Sequence, residues 1–153
     1  MNQYEQLNSN LSYLNLENIR QNLNEYISKV NDHKISFSEA LLDLTNKEIN
    51  YQHQLELERR IQRARFPIIK KIEEFDFNFQ PSINSQSISE LTTMSFLAKR
   101  ENVIFIGSPG VGKTHLAIGL GVKACEQGVR TLFINCHELM LRLQKAQEKQ
   151  HLE

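Results

Sequence analysis

The sequence has no excess charge of either sign: 18 Lys and Arg balance 18 Asp and Glu. No global field therefore draws the chain to nucleic acid or to an anionic membrane. No apolar run approaches the ~20 residues a spanning helix needs, which excludes that class. The opening residues Met1-Asn2-Gln3-Tyr4-Glu5 have neither the basic start nor the apolar core of a secretory signal. Cysteine is scarce. Cys125 and Cys136 form no metal-ligand spacing and read as two buried small hydrophobes in a reducing cytosol. A cytoplasmic protein is therefore expected. A hydrophobic fraction of 40% with 24% charged residues suits a soluble chain, and 153 residues allow one domain, or a domain with an arm.

Against these absences stands one dense feature. Gly107-Ser108-Pro109-Gly110-Val111-Gly112-Lys113-Thr114 fits the phosphate-binding pattern G-x-x-x-x-G-K-[ST] at every position. The apolar burst Val103-Ile104-Phe105-Ile106 precedes it and predicts a strand. Leu116 to Gln127 follows it and predicts a helix, which Gly128 stops. Glycines at 107, 110 and 112 let the chain curl and bring successive amide N–H groups close to phosphate oxygens. The helix beginning near Lys113 adds unpaired N–H groups and the positive end of its dipole. Lys113 is expected to reach the β- and γ-phosphates of ATP, and Thr114 to offer its hydroxyl to Mg²⁺. Pro109 stiffens the loop and removes one donor. The competing reading is a glycine-rich turn that merely links a strand to a helix. His115 is open to two readings, a catalytic base or a helix residue packing beside the loop.

Hydrolysis needs more than this loop. An acidic residue at the end of a second apolar strand must hold Mg²⁺ and help position water. After Thr114 the one further strand candidate, Thr131-Leu132-Phe133-Ile134, runs into Asn135-Cys136, and Glu138, Glu148 and Glu153 lie in helix-like polar sequence. Neither that acidic element nor an arginine finger can be assigned. These residues thus support ATP binding, and enzymatic activity stays open.

Residues 1 to about 80 hold no convincing strand and no internal repeat. Leu16, Ile19, Leu23, Ile27 and Val30 recur at helical spacing and predict an amphipathic helix over 15–31. Ser36-Phe37-Ser38-Glu39 reads as a capping box that opens a long helix over 37–65, stopped by Pro67. Two helices bury little alone, so this arm is expected to pack on something else, such as a second copy of itself. The long helix ends in Arg59, Arg60, Arg63 and Arg65. Such a cluster can neutralise nucleic-acid phosphates; equally, it can be a solvated face whose cations suit a helix C-terminus. Phe75, Phe77 and Phe79 alternate with polar residues, as in an extended linker with three rings on one side. The linker is either a strap packed on the following domain or an element touching adenine. A helix is predicted over 86–99. Gly119 and Gly121 sit inside the loop helix at ~1 kcal/mol each, which close helix–sheet approach would explain. Arg130 to Asn135 is expected as a second strand and 138–150 as a final helix.

Taken together, the run Glu58-Arg59-Arg60 to Arg63-Ala64-Arg65-Phe66-Pro67, the linker Phe75-Asp76-Phe77 to Gln80-Pro81, and the stretches Glu101 to Gly107 and Gly112 to Ala117 resemble the IstB-like AAA+ ATPases. These are transposase-helper proteins of bacterial insertion sequences, related to DnaC-type helicase loaders. The resemblance covers essentially the whole chain. It implies an α/β fold: an N-terminal α-helical arm (1–66), a linker and helix (67–101), and the first part of a P-loop NTPase parallel-sheet domain (102–153). It further implies ATP-driven assembly on DNA, a transposase partner, and self-association or partner contact through the arm. By position, Gly107 to Thr114 would bind ATP and Mg²⁺, although position 108, often proline in relatives, is Ser108 here. Members of the family continue beyond this point with the acidic pair, the sensors and the completing arginine, so the domain is expected to be incomplete and unable to hydrolyse ATP. In that fold the two strands present are not neighbours, and unpaired buried edges cost ~1–3 kcal/mol per backbone group. Two other readings remain: a helicase-loader relative in replication, and a non-catalytic helical interaction module.

Overall fold

Asn2 opens the first helix, α1 (Gln3–Tyr13), with a reciprocal cap. Its side chain accepts the Tyr4 N–H at 3.3 Å while Glu5 Oε2 accepts the Asn2 N–H at 2.9 Å. The computed structural model describes residues 2–79, 81 and 83–148. The chain divides into two units, residues 1–56 and 57–153. The first holds α1, α2 (Glu17–Asn31) and most of α3 (Phe37–Ala64).

The start of α2 has no cap from its own sequence. Glu48, projecting from α3 and 4% exposed, supplies it by accepting the Ile19 N–H at 2.9 Å. Gln52, one turn further, donates at 2.7 Å to Glu48 and at 2.9 Å to the Asn15 carbonyl, where the backbone turns through φ +57°. The long helix thus fixes the α1–α2 corner. Glu48→Ala strands the buried Ile19 N–H and is expected to destabilise the first unit by about 1–3 kcal/mol, read as a shift in urea midpoint. Leu11, Ile19, Leu23, Tyr26, Ala40 and Leu44 form the core. Tyr26 takes the place that the sequence pattern gives Ile27, which stays 37% exposed. The larger ring buries more area and its hydroxyl finds Asp43. The predicted capping box opens α3: Ser36 N–H donates to Glu39 at 2.8 Å, and Glu39 N–H to Ser36 Oγ at 3.2 Å. These bonds hold the Glu39 carboxyl below its usual range. The helix ends at Ala64, with Arg65 at φ +57° just ahead of Pro67.

The second unit takes in the end of α3, a short 3-10 turn over Ile72–Glu74, and the helices α4 (Ser85–Thr92), α5 (Ser95–Ala98), α6 (Lys113–Glu126) and α7 (Cys136–Glu148). The predicted helix over 86–99 is split by Met94, which is buried at φ +57°. Helix α6 is apolar nearly all round, with Leu116, Ile118, Leu120, Val122, Ala124 and Cys125 buried, so it forms the centre of the unit. Its two interior glycines do answer to close approach, but not by a sheet. A Cβ at Gly119 would lie 2.6 Å from Ile72 Cδ1, and one at Gly121 would lie 2.7 Å from the Phe66 ring. Asn135 Oδ1 accepts the Glu138 N–H at 2.8 Å where α7 begins, and the predicted end of that helix at 150 lies outside the described residues.

The predicted parallel sheet, and with it the α/β class, is not present among the described residues. Among the described residues all regular structure is helical. Val103–Ile106 and Arg130–Asn135 are irregular. The first keeps a strand-like alternation, with Phe105 packed inward while Ile104 is 78% and Ile106 92% exposed. A strand exists only through its ladder, and apolar β-branched composition cannot supply the partner. The second segment is held by other means. Phe133 N–H donates to the Ala64 carbonyl at 2.7 Å and its ring meets Phe66 edge-on at 6.4 Å.

Candidate phosphate-binding site

Between the irregular segment ending at Ile106 and the start of α6, the chain turns through two left-handed residues, Gly110 at φ +83° and Gly112 at φ +89°. L-residues with a Cβ adopt this region at a cost, so the turn depends on glycine. Gly112 is the N-cap of α6 and offers no side chain to the first turn. The first amide of α6 to find a helical acceptor is Leu116, bonded to the Gly112 carbonyl at 3.0 Å. The N–H groups of Lys113, Thr114 and His115 precede it and have no acceptor within the helix. They sit at the positive end of the helix dipole, where an anion is favoured.

Lys113 Nζ donates to the carbonyls of Gly107 at 2.9 Å and Ser108 at 2.7 Å, so its ammonium lies across the mouth of the loop. Thr114, Ser108, Pro109 and Gly110 are exposed, and Val111 is half-buried. A cavity of about 440 Å³ opens beside the loop, lined in part by Ile88, Phe105, Ser108, Val111 and Lys113. Four of the eight predicted positions, Gly107, Ser108, Val111 and Lys113, line this cavity, and the loop carries one cation, the exposed hydroxyls of Ser108 and Thr114, and the free amides that open α6. This donor set fits a polyphosphate with its metal ion.

Behind the loop runs the linker. The carbonyl of Lys71 accepts a hydrogen bond from His115 Nε2 at 2.8 Å, which fixes the proton on that nitrogen. His115 therefore packs beside the loop, engaged with backbone. Phe75 meets the His115 ring edge-on at 5.3 Å and the Phe77 ring at 4.9 Å. The linker's three rings do not share a side. Asp76 Oδ1 accepts the N–H groups of Asn78 at 2.9 Å and Phe79 at 3.1 Å, turning the chain and leaving Phe79 72% exposed. Gln80 lies outside the described residues. Lys123 on α6 pairs with Glu73 at 2.7 Å and Glu126 at 3.0 Å. Hydrogen bonding to Lys123 holds the Glu73 carboxyl below its usual range, and the two carboxylates raise the lysine. The strap reading of the linker holds for Phe75, which packs on the loop and on His115, while Lys71 was not singled out as a neighbour of the loop; its contact spans some 40 residues of chain and leaves no local signal.

The arginine cluster separates. Arg59, Arg63 and Arg65 are exposed, while Arg60 is half-buried. The Arg60 guanidinium lies about 4 Å from where a Cβ on Gly128 would stand, at the C-terminal end of α6, where a cation suits the last carbonyls. Of the two cysteines expected in the core, Cys125 is buried and Cys136 is exposed at the start of α7. Among the described residues no group of three or more His, Cys, Asp and Glu could hold a metal ion, and no helix is long and apolar enough to cross a membrane.

Comparison with known proteins gives a consistent picture. The model of the family described as IstB-like ATP binding protein matches residues 9–153. The chain is 41% identical over 152 residues to a protein of insertion sequence IS232 from Bacillus thuringiensis subsp. berliner, covering 99% of this chain and 61% of that protein. It is 40% identical over 143 residues to a protein of insertion sequence IS21 from Pseudomonas aeruginosa, covering 94% and 54%. A protein of insertion sequence IS5376 from Geobacillus stearothermophilus is 41% identical over 121 residues, covering 79% and 48%. All three carry names that assign them ATP binding. The chain spans about half to three fifths of the length of these relatives.

Proposed function

Since the chain belongs to the IstB-like ATP-binding protein family, we propose that it binds ATP through Gly107–Thr114 and acts as a nucleotide-binding helper in the transposition of an insertion sequence. The observation that carries this reading is the loop itself: two left-handed glycines deliver the chain into an uncapped helix start, with Lys113 at the mouth. In it, the amides of Gly110 to Thr114 hold phosphate oxygens, Lys113 exchanges its loop carbonyls for the β- and γ-phosphates, and Thr114 Oγ1 would hold Mg²⁺. The metal, when bound, would supply neutralisation of phosphate charge. The names of the relatives, which place those proteins in insertion sequences, favour transposition over helicase loading.

DNA and a transposase are the partners in this proposal. The exposed Arg59, Arg63 and Arg65, with Arg60 behind them, are the candidate DNA contacts, through phosphates rather than bases. The first unit leaves Phe37 70% and Leu41 48% exposed on the lining of an apolar cleft of about 450 Å³, which supports self-association or partner contact there.

Titration of the 153-residue chain with ATP, ADP and adenosine, each with Mg²⁺, tests the nucleotide reading. Binding of ATP and ADP but not adenosine is expected, because the loop grips phosphate. Equal binding of adenosine would count against it. No acidic residue closes an apolar run after Thr114, so this chain by itself is expected to release no phosphate above the background of Lys113→Ala.

A further inference from the structure

We infer that Phe75 is a positioning residue for the phosphate loop, its ring braced directly against Gly112. The inference rests on the loop being a nucleotide site and adds the element that shapes it. A Cβ built on Gly112 would lie 2.4 Å from Phe75 Cε2 and 3.0 Å from Cζ, so the ring lies against the bare α-carbon. Gly112 is the hinge of the site: it carries the left-handed turn, it is the N-cap of α6, and its carbonyl accepts the Leu116 N–H. A residue that presses on Gly112 therefore sets the direction in which the following amides point.

The ring itself is held from two sides, by Phe77 at 4.9 Å and by His115 at 5.3 Å. The backbone carrying it is tied to α6 at three further points. Lys71 accepts from His115 at 2.8 Å, Ile72 sits over Gly119, and Glu73 pairs with Lys123 at 2.7 Å. Those three ties hold the strap on the helix, but none reaches the loop. Phe75 alone of the four carries the strap's position to Gly112. Thermodynamic reciprocity then requires that whatever favours the ordered loop also favours the docked strap.

The test uses the full chain without nucleotide, comparing wild type with Phe75→Leu, Phe75→Ala and Phe79→Ala. Backbone relaxation of Gly110 to Lys113 and hydrogen exchange at the Leu116 amide report on the hinge. Exchange at Leu120 to Ala124 reports on α6 as a whole. With Phe75→Leu, order parameters of the loop are expected to fall from near 0.8 to below about 0.6, and Leu116 exchange to rise about tenfold while Leu120 to Ala124 keep their rates. ATP affinity is expected to fall at least about fivefold. Phe79→Ala is expected to change none of these, since that ring is exposed. Unchanged loop dynamics in Phe75→Leu, or a uniform acceleration along all of α6, would overturn the proposal. Should Phe75→Ala unfold the second unit, Phe75→Leu decides. A loosened loop in a chain that never binds ATP would sink the nucleotide reading and leave the positioning role standing. Tight ATP binding with an unaltered loop in Phe75→Leu would do the reverse.

Discussion

Gly112→Val is expected to abolish ATP binding and to destabilise the second unit by about 2–6 kcal/mol. Two independent costs add at this position. A β-branched residue held at φ +89° carries backbone strain of about 1–3 kcal/mol. Its Cβ would also fall 2.4 Å from the Phe75 ring, an overpacking cost of about 1–3 kcal/mol. The ring cannot simply step aside, because Phe77 and His115 flank it. Gly110→Ala separates the two costs. That glycine has φ +83°, but nothing stands within 4 Å of its would-be Cβ, so only the strain applies. Urea unfolding of both variants measures the difference. A Gly112→Val protein as stable as Gly110→Ala would mean that Phe75 does not press on the loop.

Lys113→Ala is expected to weaken ATP binding roughly 10- to 100-fold with little loss of stability, since a hydrogen bond to a charged group contributes about 1.5–3 kcal/mol. In the chain without nucleotide, the ammonium bonds to the carbonyls of Gly107 and Ser108. Both carbonyls are on an exposed loop, and water can replace the lysine there at small cost. The effect should therefore appear in affinity, not in the unfolding midpoint. Lys113→Arg keeps the charge but replaces a compact ammonium by a planar fork, and recovers only part of the affinity. Calorimetric titration checks both. Undiminished binding in Lys113→Ala would place ATP somewhere other than this loop.

What could be read from the residues and what could not divides along the range of the interactions. The loop, the capping box at Ser36 and Glu39, and the stop before Pro67 are set by neighbours within a few positions, and each was legible. Helix α1 carries the same kind of local cap, Asn2 with Glu5, yet its apolar pattern is too short to stand out. The start of α2 is capped by Glu48, 29 residues beyond the amide it serves, so no local signal announces it. Gly119 and Gly121 marked close packing correctly, but the identity of the neighbour, linker rather than sheet, depends on the tertiary path. The sheet expectation failed for the same reason: Val103–Ile106 has strand composition, and composition does not provide a ladder. The linker's alternating rings were misread because Asp76 turns the chain between Phe77 and Phe79.

The most direct test of ATP capture by this loop is a backbone amide NMR titration of the intact chain with ATP and Mg²⁺. The largest shifts are expected at Gly110 to His115, with Lys113→Ala suppressing them at the same nucleotide concentration. Saturable shifts confined to other residues, or none at these six, would contradict it.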